Sequence, residues 1–144
     1  SLDELSKPNV DFLAAYADSE ICGIGAVKVL SDYGEIKRLY VPEKHRGKGI
    51  AKELVEELEN CLVKRPIFTA RLETGIHQHE AIDLYKKLGY SETAQFGDYT
   101  KDPLSVCMEK NITRLFILWN SQLTEQFIAS EFTSSATAYD PALG

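Results

Sequence analysis

The sequence predicts an α+β fold: a mixed, mostly antiparallel twisted sheet flanked by helices. Three observations carry this. Between Val10 and Val41, three strand-like runs are separated by short polar turns. The pattern then changes, and Ile50, Leu54, Leu58 and Leu62 recur every four residues, as an amphipathic helix requires. Beyond that helix, strand-like and helical segments alternate.

Taken in order, Ser1 and Glu4 fit a capping box for a short helix that Pro8 stops. Val10 to Tyr16 reads as a strand. Ile21 to Leu30, apolar on both faces in places, reads as a central second strand. Glu35 to Val41 is the third. Tight turns at Ala17 to Glu20 and Ser31 to Gly34 make the three an antiparallel meander. Pro42 to Gly49 is a basic loop with glycines, and Ile50 to Val63 a helix. Ile67 to Glu73 is a strand. Glu80 to Leu88 is a second amphipathic helix, closed by Gly89. Ser91 to Ala94 is a short strand, Phe96 to Pro103 a loop, and Leu104 to Glu109 a strand. Thr113 to Leu118 reads as a further strand and Ser121 to Phe132 as a helix, before a polar tail.

The length of 144 residues suits one domain with its own core. The expectation is a single domain, with residues 1–112 as its core and 113–144 as an added strand–helix unit. No apolar run approaches the length of a membrane span, and no secretory signal is evident. Net charge is −6, which argues against a nucleic-acid or anionic-membrane partner. Cys22, Cys61 and Cys107 form no CxxC pair, so neither a disulfide framework nor a metal site is expected. They read as reduced, mostly buried thiols in a cytoplasmic protein.

Two segments carry chemistry. In the first, a strand ending Leu39-Tyr40-Val41 enters a loop, Pro42 to Gly49, that opens a helix. Gly47 and Gly49 let backbone N–H groups turn toward a ligand. A helix N-terminus offers unpaired donors and positive partial charge to phosphate oxygens. Arg46, Lys48 and Lys52 add full charge, so the segment suits capture of a pyrophosphate. It is neither a Walker A loop nor a dinucleotide-binding fingerprint. In the second segment, a strand ending near Glu73 leads through His77, Gln78 and His79 into a helix bearing Tyr85. A tyrosine hydroxyl there is either a proton donor or simply part of the core.

Together the segments resemble the GNAT superfamily of N-acetyltransferases. Arg46 to Ala51 matches the family's acetyl-CoA motif, Gln/Arg-x-x-Gly-x-Gly/Ala. Ala81 to Tyr90 is similar to its A-x-x-L-Y-x-K-x-G-F run. Leu72 to Gly75, Phe96 to Tyr99 and Asp102 to Lys110 resemble one bacterial branch. The resemblance covers about Val10 to Ile112 and implies an acetyl-CoA-dependent N-acetyltransferase in which a primary amine attacks the thioester directly. Backbone groups of Leu39, Tyr40 and Val41 would pair with the pantetheine arm. The N–H groups of Arg46, Gly47, Lys48, Gly49, Ile50 and Ala51 would hold the pyrophosphate, and Tyr85 would protonate the departing thiolate. Glu35, eleven residues before Arg46, stands where some members carry a general base. His77 and His79 are the other base candidates. Gln78 and His79 stand where many members have an asparagine. A backbone N–H on the strand would hold the oxyanion. The acidic balance favours a cationic small-molecule acceptor. A non-catalytic acyl-CoA sensor on the same fold, or an interaction module at the C-terminal end, are the competing readings.

The ends are in an unusual order for this family, whose members begin with a strand and helices before the meander. Thr113 to Leu118 and Ser121 to Phe132 look like those missing parts, so the expectation is a circular permutation. The first and last strands of the family lie about five strands, or about 24 Å, apart. A short linker at Asn111-Ile112 spans only about 10–14 Å. The strand–helix unit would then be exchanged between two copies in a homodimer.

Overall fold

The computed structural model describes residues 2–112 and 132–133. The β-branched and aromatic runs pair into one seven-stranded sheet. Among the described residues the elements are α1 (Leu2–Leu5), β1 (Val10–Ala17), β2 (Glu20–Val29), β3 (Gly34–Tyr40), α2 (Ile50–Val63), β4 (Thr69–Gly75), α3 (His79–Lys87), β5 (Ser91–Glu92), β6 (Ser105–Asn111) and β7 (Phe132–Thr133). Their order across the sheet is β5-β6-β4-β3-β2-β1-β7. Every neighbouring pair is antiparallel except β3 and β4. The α+β, mostly antiparallel expectation holds, and the meander is β1 to β3.

Period-two alternation sorts the side chains onto two faces. Val27, Ile36, Ala70, Leu72 and Met108 face α2 and α3 and pack with Val55, Leu58 and Leu62. Glycines let α2 lie close to the sheet. A Cβ on Gly34 would overlap the Leu62 side chain, and one on Gly23 would reach Leu54 at 2.8 Å and Ile50 at 2.9 Å. On the opposite face Phe12, Ala14 and Ala26 cluster with Leu5 of α1.

Several boundaries differ from the sequence reading. Ile67 and Phe68 lie outside β4, because the Ile67 N–H donates back to the Leu62 carbonyl at 2.7 Å and serves as a cap for α2. The strand expected over Ser91 to Ala94 is two residues long. The loop after it contains a 3-10 turn at Gly97–Tyr99. Cys22 and Cys107 are buried as expected, whereas Cys61 is half-buried.

The strand expected at 113–118 and nearly all of the helix expected at 121–132 lie outside the described residues, as does the Ser1 cap. Phe132 is a correction: it pairs with Ala15 in β7 rather than ending a helix. The edge beyond β1 is thus filled by a segment twenty residues past Ile112, not by one directly following it. Twenty residues reach up to about 70 Å, so chain length does not prevent this pairing within one chain.

Candidate active site

The site begins with a failure of strand pairing. The β3–β4 ladder holds three pairs, Gly34 with Ala70, Glu35 with Arg71 and Ile36 with Leu72. Both strands run on, β3 to Tyr40 and β4 to Gly75, each paired only on its outer side, with β2 and β6 respectively. A bulge in β3 accompanies the parting. Ala26 faces Lys37 but Ile24 faces Tyr40, so β3 carries one extra residue, and Arg38 adopts a left-handed φ of 58°. A gap therefore opens between β3 and β4 at their C-terminal ends, with backbone donors and acceptors along its edges.

The basic loop lies at the mouth of that gap. Pro42 starts a 3-10 turn, Glu43–His45, closed by the Arg46 N–H on the Glu43 carbonyl at 3.2 Å. Arg46 turns back toward β3, where its Nε donates to the Val41 carbonyl at 2.9 Å and its guanidinium lies over the Tyr40 ring. Gly47 and Gly49 have φ of 76° and 79°, values costly for any residue with a Cβ. A Cβ built on either meets nothing within 4 Å, so both face open space. Gly49 is the N-cap of α2 and has no side chain to satisfy the first-turn N–H groups, and the first intrahelical donor is Glu53. The start of α2 is therefore a cradle of unpaired donors beside the Arg46 and Lys52 charges, fitted to a diphosphate.

A cleft of about 490 Å³ runs from this cradle to α3. Leu39, Tyr40 and Val41 form one wall, Gly47, Gly49, Ile50, Ala51 and Lys52 the floor, and Gln78, Ala81, Leu84 and Tyr85 the far side. Tyr85 is fixed by the end of its helix. The Tyr90 N–H donates to the Tyr85 carbonyl at 2.9 Å and the Gly89 N–H to Lys86 at 3.1 Å, a Schellman close in which Gly89 takes φ 95°. The Tyr85 and Tyr90 rings meet edge to face at 6.0 Å. Burial raises the Tyr85 hydroxyl above its ordinary pKa, so it stays protonated at neutral pH.

Glu35 lies on the other face of the sheet, at the closed end of the gap. It is 5% exposed. Tyr99 donates from its hydroxyl to Glu35 Oε1 at 2.7 Å, and Lys37 Nζ is 3.9 Å from Oε2. Burial first, then the bond to Glu35, pushes the Tyr99 hydroxyl well above its ordinary range, so it acts as a donor. Ser105 donates to Glu73 at 2.8 Å nearby. Arg71 pairs with Glu109 at 2.7 Å and lies over the rings of Tyr33 and Phe96.

Of the residues singled out from sequence, Leu39, Tyr40, Val41, Arg46, Gly47, Gly49, Ile50, Ala51 and Tyr85 line one cleft. Lys48 is exposed and outside that lining, and so are His77 and His79. Glu35 is separated from the cleft by the sheet. Sequence reasoning assigned no role to Tyr99, whose partner is 64 residues away. It also missed His45, Ala81 and Leu84 as lining residues; the helical spacing of Ala81, Leu84 and Tyr85 was the available signal.

Several known proteins are similar to this chain. The model of the acetyltransferase (GNAT) family matches residues 1–90. An IAA acetyltransferase of Azospirillum brasilense is 38% identical over 111 residues, covering 76% of this chain and 72% of that protein. A Klebsiella pneumoniae structure assigned as an acyl-CoA N-acyltransferase aligns with a TM-score of 0.70 at 39% identity, covering 77% of this chain and 82% of that one. The PaiA N-acetyltransferase of Thermoplasma acidophilum, solved in complex with coenzyme A, aligns with a TM-score of 0.65 at 28% identity, over 72% of this chain and 61% of that one.

Proposed function

The chain belongs to the acetyltransferase (GNAT) family, and from that premise we propose that it moves an acetyl group from acetyl-CoA directly to a primary amine. The observation that carries the proposal is the three-residue β3–β4 ladder, whose open end meets the N-termini of both long helices and Tyr85.

In this reading the N–H groups of Gly47 to Ala51 bind the pyrophosphate, with Arg46 adding charge; the Arg46 N–H, expected among them, is instead taken by the Glu43 carbonyl. Arg46 is held for that task by its bond to the Val41 carbonyl. The free edge of β3 at Leu39 and Tyr40, with Val41 just beyond the strand, pairs with the amides of the pantetheine arm, as a neighbouring strand would. Tyr85, protonated at neutral pH, gives its proton to the leaving sulfur. The amine comes from the opposite face, where Glu35 removes its proton and Tyr99 holds the Glu35 carboxylate in position. The sheet thereby keeps donor and acceptor on separate sides and lets them meet at the gap. Bringing the two reactants together in a fixed orientation is the main source of rate acceleration.

The test is acetyl-CoA turnover with a panel of primary amines, followed by thiol release. Amine-dependent release supports the transferase. Tight acetyl-CoA binding without release from any amine would replace this reading with that of a sensor.

A further inference from the structure

The bulge in β3 carries a side chain that its backbone does not favour. Arg38 takes a φ of 58°, a conformation that glycine adopts freely and a bulky residue only at a cost. Among the described non-glycine residues only Asp18 and Ser19 also have a positive φ, and they form the turn between β1 and β2. Glycine at position 38 would make the same bulge with less strain, so the arginine side chain is what calls for a reason. That side chain is also uncommitted. Arg46 donates to the Val41 carbonyl, Arg65 to Asp11 and Arg71 to Glu109. Among the described residues no hydrogen bond or ion pair engages the exposed Arg38.

Its position ties it to Glu35. The two lie three residues apart on β3, about 10 Å along a strand. Arg38 helps to line a cavity of about 30 Å³ beside α1, with Glu4 and Leu5 of that helix, Lys28 of β2 and Lys37 of β3. This exceeds the roughly 10–15 Å³ that one water needs, so the cavity admits a small headgroup and not a whole substrate. Lys28 pairs with Glu4 at 3.2 Å. Lys37 shares a face of the sheet with Glu35, lies 3.9 Å from its Oε2, and so joins Glu35 to the cavity. Arg38 is the charge left over. We propose that the acceptor is an amine that also bears a carboxylate, an amino acid, and that Arg38 binds the carboxylate at this cavity while Glu35 takes the proton of the amine. The planar guanidinium presents two parallel N–H groups to the two carboxylate oxygens. This rests on the transferase reading with Glu35 as base, and names its acceptor class. The net charge of −6 steers cations from a distance, but salt screens that field within about 8 Å, whereas a direct contact decides which acceptor stays bound.

An arginine that merely extends into solvent is indifferent to a carboxylate on the acceptor, which makes the two roles separable. The experiment is thiol release from acetyl-CoA with the common amino acids, each beside the amine left by its decarboxylation, such as phenylalanine beside phenethylamine. It is run on the parent protein, Arg38→Gly and Arg38→Lys, alongside the thermal midpoint of each. For the parent, kcat/KM is expected to favour the amino acid over its amine by about ten-fold or more, the scale of one charge-assisted contact. Arg38→Gly relieves the backbone, so its thermal midpoint should not fall, while the ratio drops to about one. Arg38→Lys keeps the charge without the paired N–H groups and should give a ratio in between. Equal or faster turnover of the amines by the parent, or an unchanged ratio in Arg38→Gly, overturns the acceptor class and leaves the transferase reading standing. Thiol release with no member of either set would overturn both.

Discussion

The Tyr99 hydroxyl donates a 2.7 Å hydrogen bond to Oε1 of Glu35, joining the 3-10 turn after β5 to the middle of the sheet. Glu35 is the one proposed catalytic group on its face, so the two substitutions should separate base from support. Glu35→Gln is expected to lower kcat by about 100-fold, the usual contribution of a general base, with the KM for acetyl-CoA unchanged. Tyr99→Phe keeps the ring and removes the donor. It should lower kcat less and cost about 1.5–3 kcal/mol of stability, as loss of a hydrogen bond to a charged group does. Steady-state kinetics and urea unfolding of both variants check this. Full activity in Glu35→Gln would remove Glu35 from the mechanism.

Tyr85 is predicted to act through its hydroxyl alone. Tyr85→Phe retains the edge-to-face contact with Tyr90 and so should leave the thermal midpoint nearly unchanged. Its kcat should fall by about 100-fold. Because burial raises the Tyr85 pKa, the protonated donor persists above the ordinary tyrosine value of 10.0. The activity of the parent protein should therefore not lose this donor until the pH exceeds that value. A pH–rate profile in which Tyr85→Phe matches the parent would refute the role.

The two loop glycines make a paired prediction. At φ of 76° and 79°, Gly47→Ala and Gly49→Ala should each cost about 1–2 kcal/mol. Their new methyl groups would point into open space rather than into neighbouring atoms. They should therefore raise the KM for acetyl-CoA by crowding the phosphate cradle, with kcat at saturation less affected. Chemical denaturation and substrate titration of each variant measure the two effects separately.

The Glu59–Lys110 pair predicts a pH dependence. Burial raises Glu59 above its ordinary value of 4.5, outweighing the opposing pull of Lys110. A raised acid binds its proton more readily in the folded than in the unfolded state. The stability this contributes is present at low pH and is lost as pH rises from 4.5 through the folded value. Thermal midpoints of the parent and of Glu59→Gln, measured across that interval, should diverge, with the parent falling relative to the variant as pH rises. Parallel curves would show that Glu59 titrates normally.

How much of this was legible in the sequence depends on the range of each interaction. The α2 helix is legible to the residue because its four-residue apolar spacing is local and a glycine loop precedes it. The glycine loop that opens α2 is legible for the same reason, since loop and helix start are contiguous. The apolar Ile67-Phe68 run misled, because Ile67 spends its N–H on closing α2 rather than on a ladder. The parting of β3 from β4 was not legible: register is a property of two strands, and Arg38 gives no sign in sequence that it takes a left-handed conformation. Tyr99 was hidden because it meets Glu35 only once the sheet has formed.

The gap between β3 and β4 also bears on how such an enzyme diversifies. Recognition along that gap is proposed to use main-chain groups, and amides do not report which side chain they carry. Exchanging Leu39 or Val41 for other residues of good strand propensity should therefore leave thioester binding largely intact. In the proposed mechanism acceptor choice would depend instead on side chains of the opposite face, such as Glu73, around the proposed base Glu35 and its support Tyr99. On that proposal the two specificities would be mechanically uncoupled, and a library on that face that spares Glu35 and Tyr99 should change the acceptor while leaving the acetyl donor site as it stands.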